Sequence, residues 1–231
     1  MQNNPQSNSA ENDDLDKEAL KIGIGGNLSP EANENLYKER MKKRKEIQSK
    51  RLKIRKSKKG LLIVFTGNGK GKTTASLGMA LRTLGHDQKV VIIQFIKGSW
   101  QTGEEKAFKK LFNNVTWHSL GEGFTWETQD RIRDEECVRN AWNLAKKYLS
   151  DDSIKLVILD EINIAFKLGY LDPEEIVDFI KKLDKNDNHI VLTGRGAPEL
   201  IIEFADLVTE MNLIKHPFRD QGIKAQRCIE F

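Results

Sequence analysis

The chain has 231 residues, of which 38% are hydrophobic and 31% are charged, with a formal net charge of +4 at pH 7. No apolar run approaches the roughly 20 residues that cross a bilayer, and the polar N-terminus lacks the apolar core of a secretory signal. The two cysteines, Cys137 and Cys228, form no C-x-x-C pair, so neither a disulfide framework nor a thiolate metal site is expected. Composition therefore predicts a cytoplasmic protein with one α/β domain and no membrane partner.

Two N-terminal segments differ in composition from the rest of the chain. Residues 1–35 are rich in Asn, Ser, Asp and Glu, which predicts a disordered polar tail. Residues 36–59 contain thirteen Lys or Arg against two Glu, with sparse apolar residues at helix-compatible spacing. This pattern predicts a basic helix that needs a partner surface. Contact with nucleic acid is an alternative, but a solvated helix face is the commoner explanation of such a run, so nucleic acid is not favoured.

From residue 60 onward, apolar runs alternate with helical stretches. This alternation predicts an α/β domain over residues 60–231, with a mostly parallel sheet and helices on both faces. The predicted strands are 61–65, 90–95, 156–159, 190–193, 207–210 and a closing strand at 225–231. The predicted helices are 72–84, 104–111, 128–149, 173–183 and 198–204, with Asp172 as the N-cap before Pro173.

A glycine-rich segment, residues 66–74, joins the first predicted strand to the first predicted helix. It reads Thr66, Gly67, Asn68, Gly69, Lys70, Gly71, Lys72, Thr73 and Thr74. Backbone N–H groups at such a turn, a lysine and a helix N-terminus together bind phosphate. The segment ends in the Gly-Lys-Thr of the P-loop template, although Thr66 occupies the place of the first glycine. We therefore expect a RecA-like P-loop fold, with a flexible glycine turn and an incidental lysine as the less favoured alternative.

Two acids close another predicted strand. Asp160 and Glu161 follow Leu156-Val157-Ile158-Leu159, as in a Walker B strand. Because strand carboxyl ends share one edge of a parallel sheet, these acids can meet Thr73 there and bind Mg²⁺ beside ATP or GTP. The four histidines have no zinc-site spacing. His189 follows Asp187-Asn188 as in a cobalamin-binding pattern, but Leu192 replaces its glycine, so we interpret His189 as a loop residue before a strand.

A glycine-flanked aromatic segment lies in the middle of the chain, at residues 121–128. Phe124 and Trp126 are two residues apart, so in an extended conformation both rings face the same side. A flat, apolar ligand could lie against them. Burial of both rings in the core is the alternative.

Six segments in order carry a family resemblance. They are residues 66–74, Gln94-Phe95-Ile96-Lys97-Gly98, Gly123-Phe124-Thr125-Trp126-Glu127-Thr128, Leu159-Asp160-Glu161, Thr193-Gly194-Arg195-Gly196 and Gly222-Ile223-Lys224-Ala225-Gln226. Over residues 36–231 the chain resembles the P-loop type of ATP:corrinoid adenosyltransferase. The resemblance implies transfer of the 5′-deoxyadenosyl group of ATP to cobalt(I) of cobyrinic acid a,c-diamide or a later cobamide, with Mg²⁺ and release of triphosphate.

The resemblance also implies roles for individual residues. Residues 67–74 would hold the triphosphate with Lys72 as the principal cation, and Thr73, Asp160 and Glu161 would bind Mg²⁺. Phe124 and Trp126 would press on the lower corrin face and keep an axial ligand off cobalt. Arg82 and Arg195 would lie near the nucleotide.

The resemblance further implies a homodimer, in which the basic segment 36–59 acts as an active-site lid, and a flavoprotein is a candidate reductant. The alternative function is a generic P-loop ATPase with a basic nucleic-acid-binding segment. Phe124-Thr125-Trp126 argues against this alternative, because a RecA-like motor has no use for it. A corrinoid-binding module without turnover is disfavoured by the intact Lys72, Thr73 and Glu161.

Overall fold

The computed structural model describes residues 30–54, 58–96, 102–120, 130–183 and 187–229. The chain divides into two compact units, Met1–Lys58 and Lys59–Phe231. In the first unit, helix α1 (Pro30–Ile54) is 25 residues long. It begins six residues before the predicted basic segment, at a proline that suits the first turn of a helix. Residues 1–29 of the predicted tail lie outside the described part of the chain.

The described residues of the second unit form a six-stranded sheet in the order β3-β2-β4-β5-β1-β6. Its strands are β1 (Leu62–Thr66), β2 (Lys89–Gln94), β3 (Val115–Ser119), β4 (Ile154–Asp160), β5 (His189–Thr193) and β6 (Leu207–Glu210). Every neighbouring pair runs parallel. The predicted parallel α/β sheet is therefore confirmed, and it follows from strands that are apolar on both faces.

Helices cover both faces of this sheet. They are α2 (Lys72–Leu84), α3 (Gly103–Leu111), α4 (Arg131–Leu149), α5 (Ile162–Lys167), α6 (Pro173–Lys182), α7 (Glu199–Phe204) and α8 (Pro217–Gln221). Leu77 of α2 and Phe108 of α3 pack into the core on one face. Trp142 of α4 and Ile176 of α6 pack into the core on the other. None of the described helices is both long and apolar enough to cross a membrane.

The Asp172 cap is confirmed, because its Oδ1 accepts a hydrogen bond from the Glu174 N–H at 2.9 Å. Three described elements were not predicted, namely β3, α5 and α8. In β3 only Trp117 is buried, so the strand lacks the apolar run by which the others were recognised. The closing strand predicted at 225–231 is wrong over the described residues 225–229, which are exposed and contain a turn. Cys228 adopts φ 73°, which a strand excludes.

His189 has a structural part in the sheet. It is the first residue of β5, and its Nδ1 accepts a hydrogen bond from the Leu61 N–H at 3.1 Å. Burial, with a smaller contribution from the Lys155 charge, lowers the pKa of His189 below its ordinary value, and Asp187 opposes this. The neutral ring that accepts from Leu61 is therefore the favoured form.

We predict that His189 makes folding sensitive to acid. Its folded-state pKa is below the ordinary 6.5, so as pH falls below that value the unfolded chain takes up a proton that the folded chain does not. The free energy of unfolding must then fall with pH through this window. His189→Asn retains an acceptor without titrating, so it should show a shallower loss of stability between about pH 7 and about pH 5.

Denaturant unfolding at several pH values measures this difference. His189→Ala serves as the matched comparison, since it leaves the Leu61 N–H without its acceptor and should cost about 1–3 kcal/mol at neutral pH. Parallel pH profiles for the unchanged chain and His189→Asn would contradict the prediction.

Candidate functional site

The predicted phosphate-loop and Mg²⁺ residues gather at one edge of the sheet, where strands β1, β4 and β5 end. β5 lies between the other two strands. The glycine-rich loop follows β1, Asp160 is the last residue of β4, and Thr193 is the last residue of β5. In an open parallel sheet this edge is where ligands bind.

The loop after β1 requires glycine at several positions. Gly67 and Gly71 adopt φ 90° and 105°, a region that side-chain-bearing residues rarely enter. The Gly69 N–H donates to the Met211 carbonyl at 2.6 Å, and a Cβ on Gly69 would lie 2.6 Å from that same oxygen. The segment after β6 therefore presses directly against the loop, which leaves no room for a side chain.

Lys72 lies buried at the centre of this loop. Its Nζ donates to the carbonyls of Gly67 at 2.9 Å and Gly69 at 2.6 Å. Burial lowers the pKa of Lys72, Glu161 and Asp160 oppose this, and the charges of Arg195 and Lys70 add to the lowering. The ammonium is thus enclosed by the loop that would cradle phosphate, with two further cations within electrostatic reach.

Asp160 is fixed by three donors from separate elements. Its Oδ1 accepts from the Thr73 hydroxyl at 2.9 Å and the Thr193 hydroxyl at 2.7 Å, and its Oδ2 accepts from Gln94 Nε2 at 2.9 Å. The carboxylate is only 1% exposed. The structure therefore brings together the loop and the Walker B strand, as their positions in the sequence predicted.

Glu161 follows in a left-handed conformation, with φ 62°. Its N–H donates to the Thr193 hydroxyl at 2.9 Å. A Cβ on Gly194 would lie 3.2 Å from Glu161 Oε2, so the Glu161 carboxylate reaches the loop after β5. This glycine adopts φ 126°, which also disfavours a side chain.

The oxygen donors in this region fit Mg²⁺. Thr73 offers a hydroxyl, and Asp160 and Glu161 offer carboxylates, which are the hard ligands that this ion prefers. Within the described ranges, no group of three His, Cys, Asp or Glu could hold a metal ion. Proteins commonly hold Mg²⁺ through one or two carboxylates, with substrate phosphates and water completing its shell.

Three residues that shape the site were assigned no role from the sequence. Gln94 accepts from Ser119 Oγ at 3.0 Å and from Trp117 Nε1 at 3.3 Å while it donates to Asp160. Thr193 links Asp160 to the Glu161 backbone. Asn163 is fully buried and donates to the Gly194 carbonyl at 3.1 Å. Polar residues at the ends of buried strands were the available signal for Gln94 and Thr193.

The remaining predicted residues are distributed differently. Arg195 is exposed in the loop after β5, and its charge influences Lys72. Arg82 lies in the last turn of α2, ten residues from Lys72 and thus about 15 Å along the helix axis. The structure does not bring Arg82 to the loop, and its proposed role stays a prediction. Phe124 and Trp126 lie outside the described residues.

A parallel sheet with a glycine-rich loop around a buried lysine, facing a strand-end aspartate, defines a P-loop nucleotide-binding protein. Residues 58–231 match the family described as ATP:corrinoid adenosyltransferase BtuR/CobO/CobP. The chain belongs to this family, which confirms the resemblance seen in its motifs.

Curated relatives agree over most of the chain. A corrinoid adenosyltransferase from a Sinorhizobium species is 47% identical over 90% of this chain and 97% of its own length. One from Pseudomonas aeruginosa is 46% identical over 89% of this chain and 100% of its own length. One from Escherichia coli K12 is 40% identical over 84% of this chain and 97% of its own length.

We predict that Gly69→Ala disrupts the nucleotide loop. Its Cβ would overlap the Met211 carbonyl oxygen, and backbone atoms cannot move aside as a flexible side chain can. ATP affinity should fall by about tenfold or more, which corresponds to about 1.4 kcal/mol or more. Calorimetric titration with Mg-ATP measures the change.

Gly78→Ala is the matched control, because a Cβ there has no neighbour within 4 Å. It should leave ATP affinity unchanged and stabilise α2 by roughly 0.5–1 kcal/mol. Normal ATP binding by Gly69→Ala would show that the contact between Met211 and the loop is dispensable.

Proposed function

We propose that this protein transfers the 5′-deoxyadenosyl group of ATP to cobalt(I) of a corrinoid and releases triphosphate, as a step of adenosylcobalamin biosynthesis and corrinoid salvage. The observation that carries the proposal is the intact phosphate loop around Lys72, facing Thr73 and Asp160, in a member of the corrinoid adenosyltransferase family. The acceptor would be cobyrinic acid a,c-diamide or cobalamin, each in its cobalt(I) form.

The proposed reaction is a displacement at carbon. The cobalt(I) electron pair attacks C5′ of ATP, the cobalt–carbon bond forms, and the bond from C5′ to the phosphate oxygen breaks. That bonding pair leaves on triphosphate, while cobalt is formally oxidised by two electrons to cobalt(III). Because no proton is transferred, the protein's task is to position C5′ and to stabilise a highly charged leaving group.

The loop residues suit this leaving group. The backbone N–H groups of Gly67, Asn68, Gly71 and Thr74 would surround the phosphates. The Gly69 N–H already donates to the Met211 carbonyl, so Gly69 would shape the loop without binding phosphate through its N–H. Lys72 would neutralise the oxygen that departs from C5′, and Lys70 and Arg195 would add positive charge. These assignments rest on the buried position of the Lys72 amine and on the electrostatic influence of both other cations upon it.

Thr73, Asp160 and Glu161 would hold Mg²⁺ against the triphosphate. Bound there, the ion supplies positive charge that offsets the charge of the phosphate oxygens. Gln94 and Thr193 keep the Asp160 carboxylate oriented toward Thr73.

The corrinoid would meet Phe124 and Trp126. Pressing both rings on the lower corrin face would keep an axial ligand off cobalt and make cobalt(II) easier to reduce.

We further propose a cytoplasmic homodimer with the basic segment 36–59 as a lid, and a flavoprotein as the electron donor.

We predict that anaerobic incubation with Mg-ATP and a chemically reduced corrinoid yields a light-sensitive cobalt–carbon product and an equal amount of triphosphate. Absorbance spectroscopy and anion chromatography measure the two products. Lys72→Met should lower the rate by about a hundredfold, because a donor to the developing charge is lost. ADP and phosphate as sole products would instead support a generic P-loop ATPase.

We also predict that Trp126→Ala impairs reduction more than transfer. The loss should be about tenfold larger when cobalt(II) must be reduced on the enzyme than when cobalt(I) is supplied, because only the first case needs the axial ligand removed. Trp126→Phe retains an aromatic ring and should lose less. Equal losses in the two assays would argue against an axial-ligand role for Trp126.

A further inference from the structure

A polar cleft of about 380 Å³ adjoins the phosphate loop. It is lined by Asn68, Arg195, Asn212, Leu213, His216 and Arg219. Three separate segments meet there, namely the loop after β1, the loop after β5, and the stretch that runs from β6 into α8. The cleft therefore adjoins the site described above on the side of β6, the outermost strand.

The wall of this cleft is fixed to the phosphate loop by backbone hydrogen bonds. Met211, next to Asn212, donates from its N–H to the Thr66 carbonyl at 2.9 Å and accepts from the Gly69 N–H at 2.6 Å. Farther along, the His216 N–H donates to Asp220 Oδ2 at 2.7 Å, which closes the start of α8 on itself. A group bound in the cleft thus has a defined position relative to the loop.

The charge of the lining favours an anion. Arg195 and Arg219 are its permanently charged groups, and the lining contains no carboxylate. Neither guanidinium forms an ion pair with a carboxylate in the described part of the chain. A single arginine guanidinium can bind phosphate oxygens through two parallel hydrogen bonds. Together with Lys72, the two arginines extend positive charge from the loop into the cleft.

An adenine ring is a poorer fit to this lining. Small-molecule sites for flat aromatic groups have mainly hydrophobic and aromatic walls. Leu213 is the one aliphatic residue that lines this cleft, and the other five lining residues are polar or charged.

We propose that the cleft is a second anion subsite, in which Arg219 and Arg195 bind the terminal phosphate of the triphosphate chain while the loop binds the others. This inference rests on the proposed function, in which all three phosphates leave C5′ together. The triphosphate would then be bound at both ends, by Lys72 at the loop and by Arg195 and Arg219 at the terminal phosphate. Negative charge that develops at the departing oxygen would be stabilised, because the anion is already paired with these cations.

The test is calorimetric titration of the full chain with inorganic tripolyphosphate and, separately, with pyrophosphate, both with Mg²⁺. Arg219→Ala should weaken tripolyphosphate binding by about tenfold or more, because a charge-assisted contact is lost. Pyrophosphate, short enough for the loop alone, should lose less than about threefold. Arg219→Lys keeps the charge but loses the two parallel hydrogen bonds of the guanidinium, so its tripolyphosphate affinity should lie between those of the unchanged chain and Arg219→Ala.

Lys215→Ala is the matched control. It removes one exposed positive charge from the same segment without touching the cleft, so binding of both anions should stay unchanged. Unchanged tripolyphosphate binding in Arg219→Ala would overturn the proposal. Equal losses for the two anions, or a loss confined to adenosine binding, would also overturn it.

The adenosyl-transfer assay on the same preparations separates this inference from the proposed function. Suppose the unchanged chain forms no cobalt–carbon product, but Arg219→Ala still loses affinity for tripolyphosphate more than for pyrophosphate. The subsite is then supported and the proposed reaction is wrong. If the unchanged chain transfers the adenosyl group and Arg219→Ala binds tripolyphosphate normally, the reaction stands and the subsite is wrong.

Discussion

The site depends on one buried carboxylate. Asp160 accepts hydrogen bonds from Thr73, Thr193 and Gln94, which belong to α2, β5 and β2. A buried charge is tolerated only when hydrogen bonds replace the water it has lost. Because these three donors come from separate elements, the carboxylate can be satisfied only when the sheet edge and the start of α2 are correctly assembled. The proposed binding site and the fold therefore both require that Asp160 be a carboxylate held by these three donors.

The strand order determines which groups meet. β5 separates β1 from β4, so the phosphate loop and Asp160 are not on adjacent strands. Thr73 spans this gap, since its hydroxyl donates to Asp160. Thr193 ends the intervening strand, and its hydroxyl donates to Asp160 and accepts from the Glu161 N–H. The gap leaves room at the sheet edge for a ligand, while the hydroxyl of Thr193 keeps the two acids in a fixed relation to each other. A larger or apolar side chain at this position would break that relation.

The sequence predicted the parts of this arrangement that depend on local pattern. A strand, a glycine-rich turn and a helix are contiguous in the chain, and a strand ending in Asp160 must place that residue at the ligand edge of a parallel sheet. The bonds of Gln94 and Thr193 to Asp160 depend on which strands are neighbours, and no local pattern encodes strand order. β3 went unrecognised because only Trp117 in it is buried, whereas residues 225–229, predicted as part of a closing strand, are exposed and contain a turn.

The hydrogen bond from the Gly69 N–H to the Met211 carbonyl affects when the phosphate loop can form during folding. The loop is specified by residues 66–74, but the carbonyl that receives the Gly69 N–H belongs to a residue about 140 positions later. Contacts of such sequence separation form late, because the intervening chain must first be closed into a loop. During synthesis on the ribosome, the first strand and its glycine-rich turn emerge long before β6 does. Nucleotide binding should therefore arise only once nearly the whole domain has left the ribosome, as a property of the completed sheet.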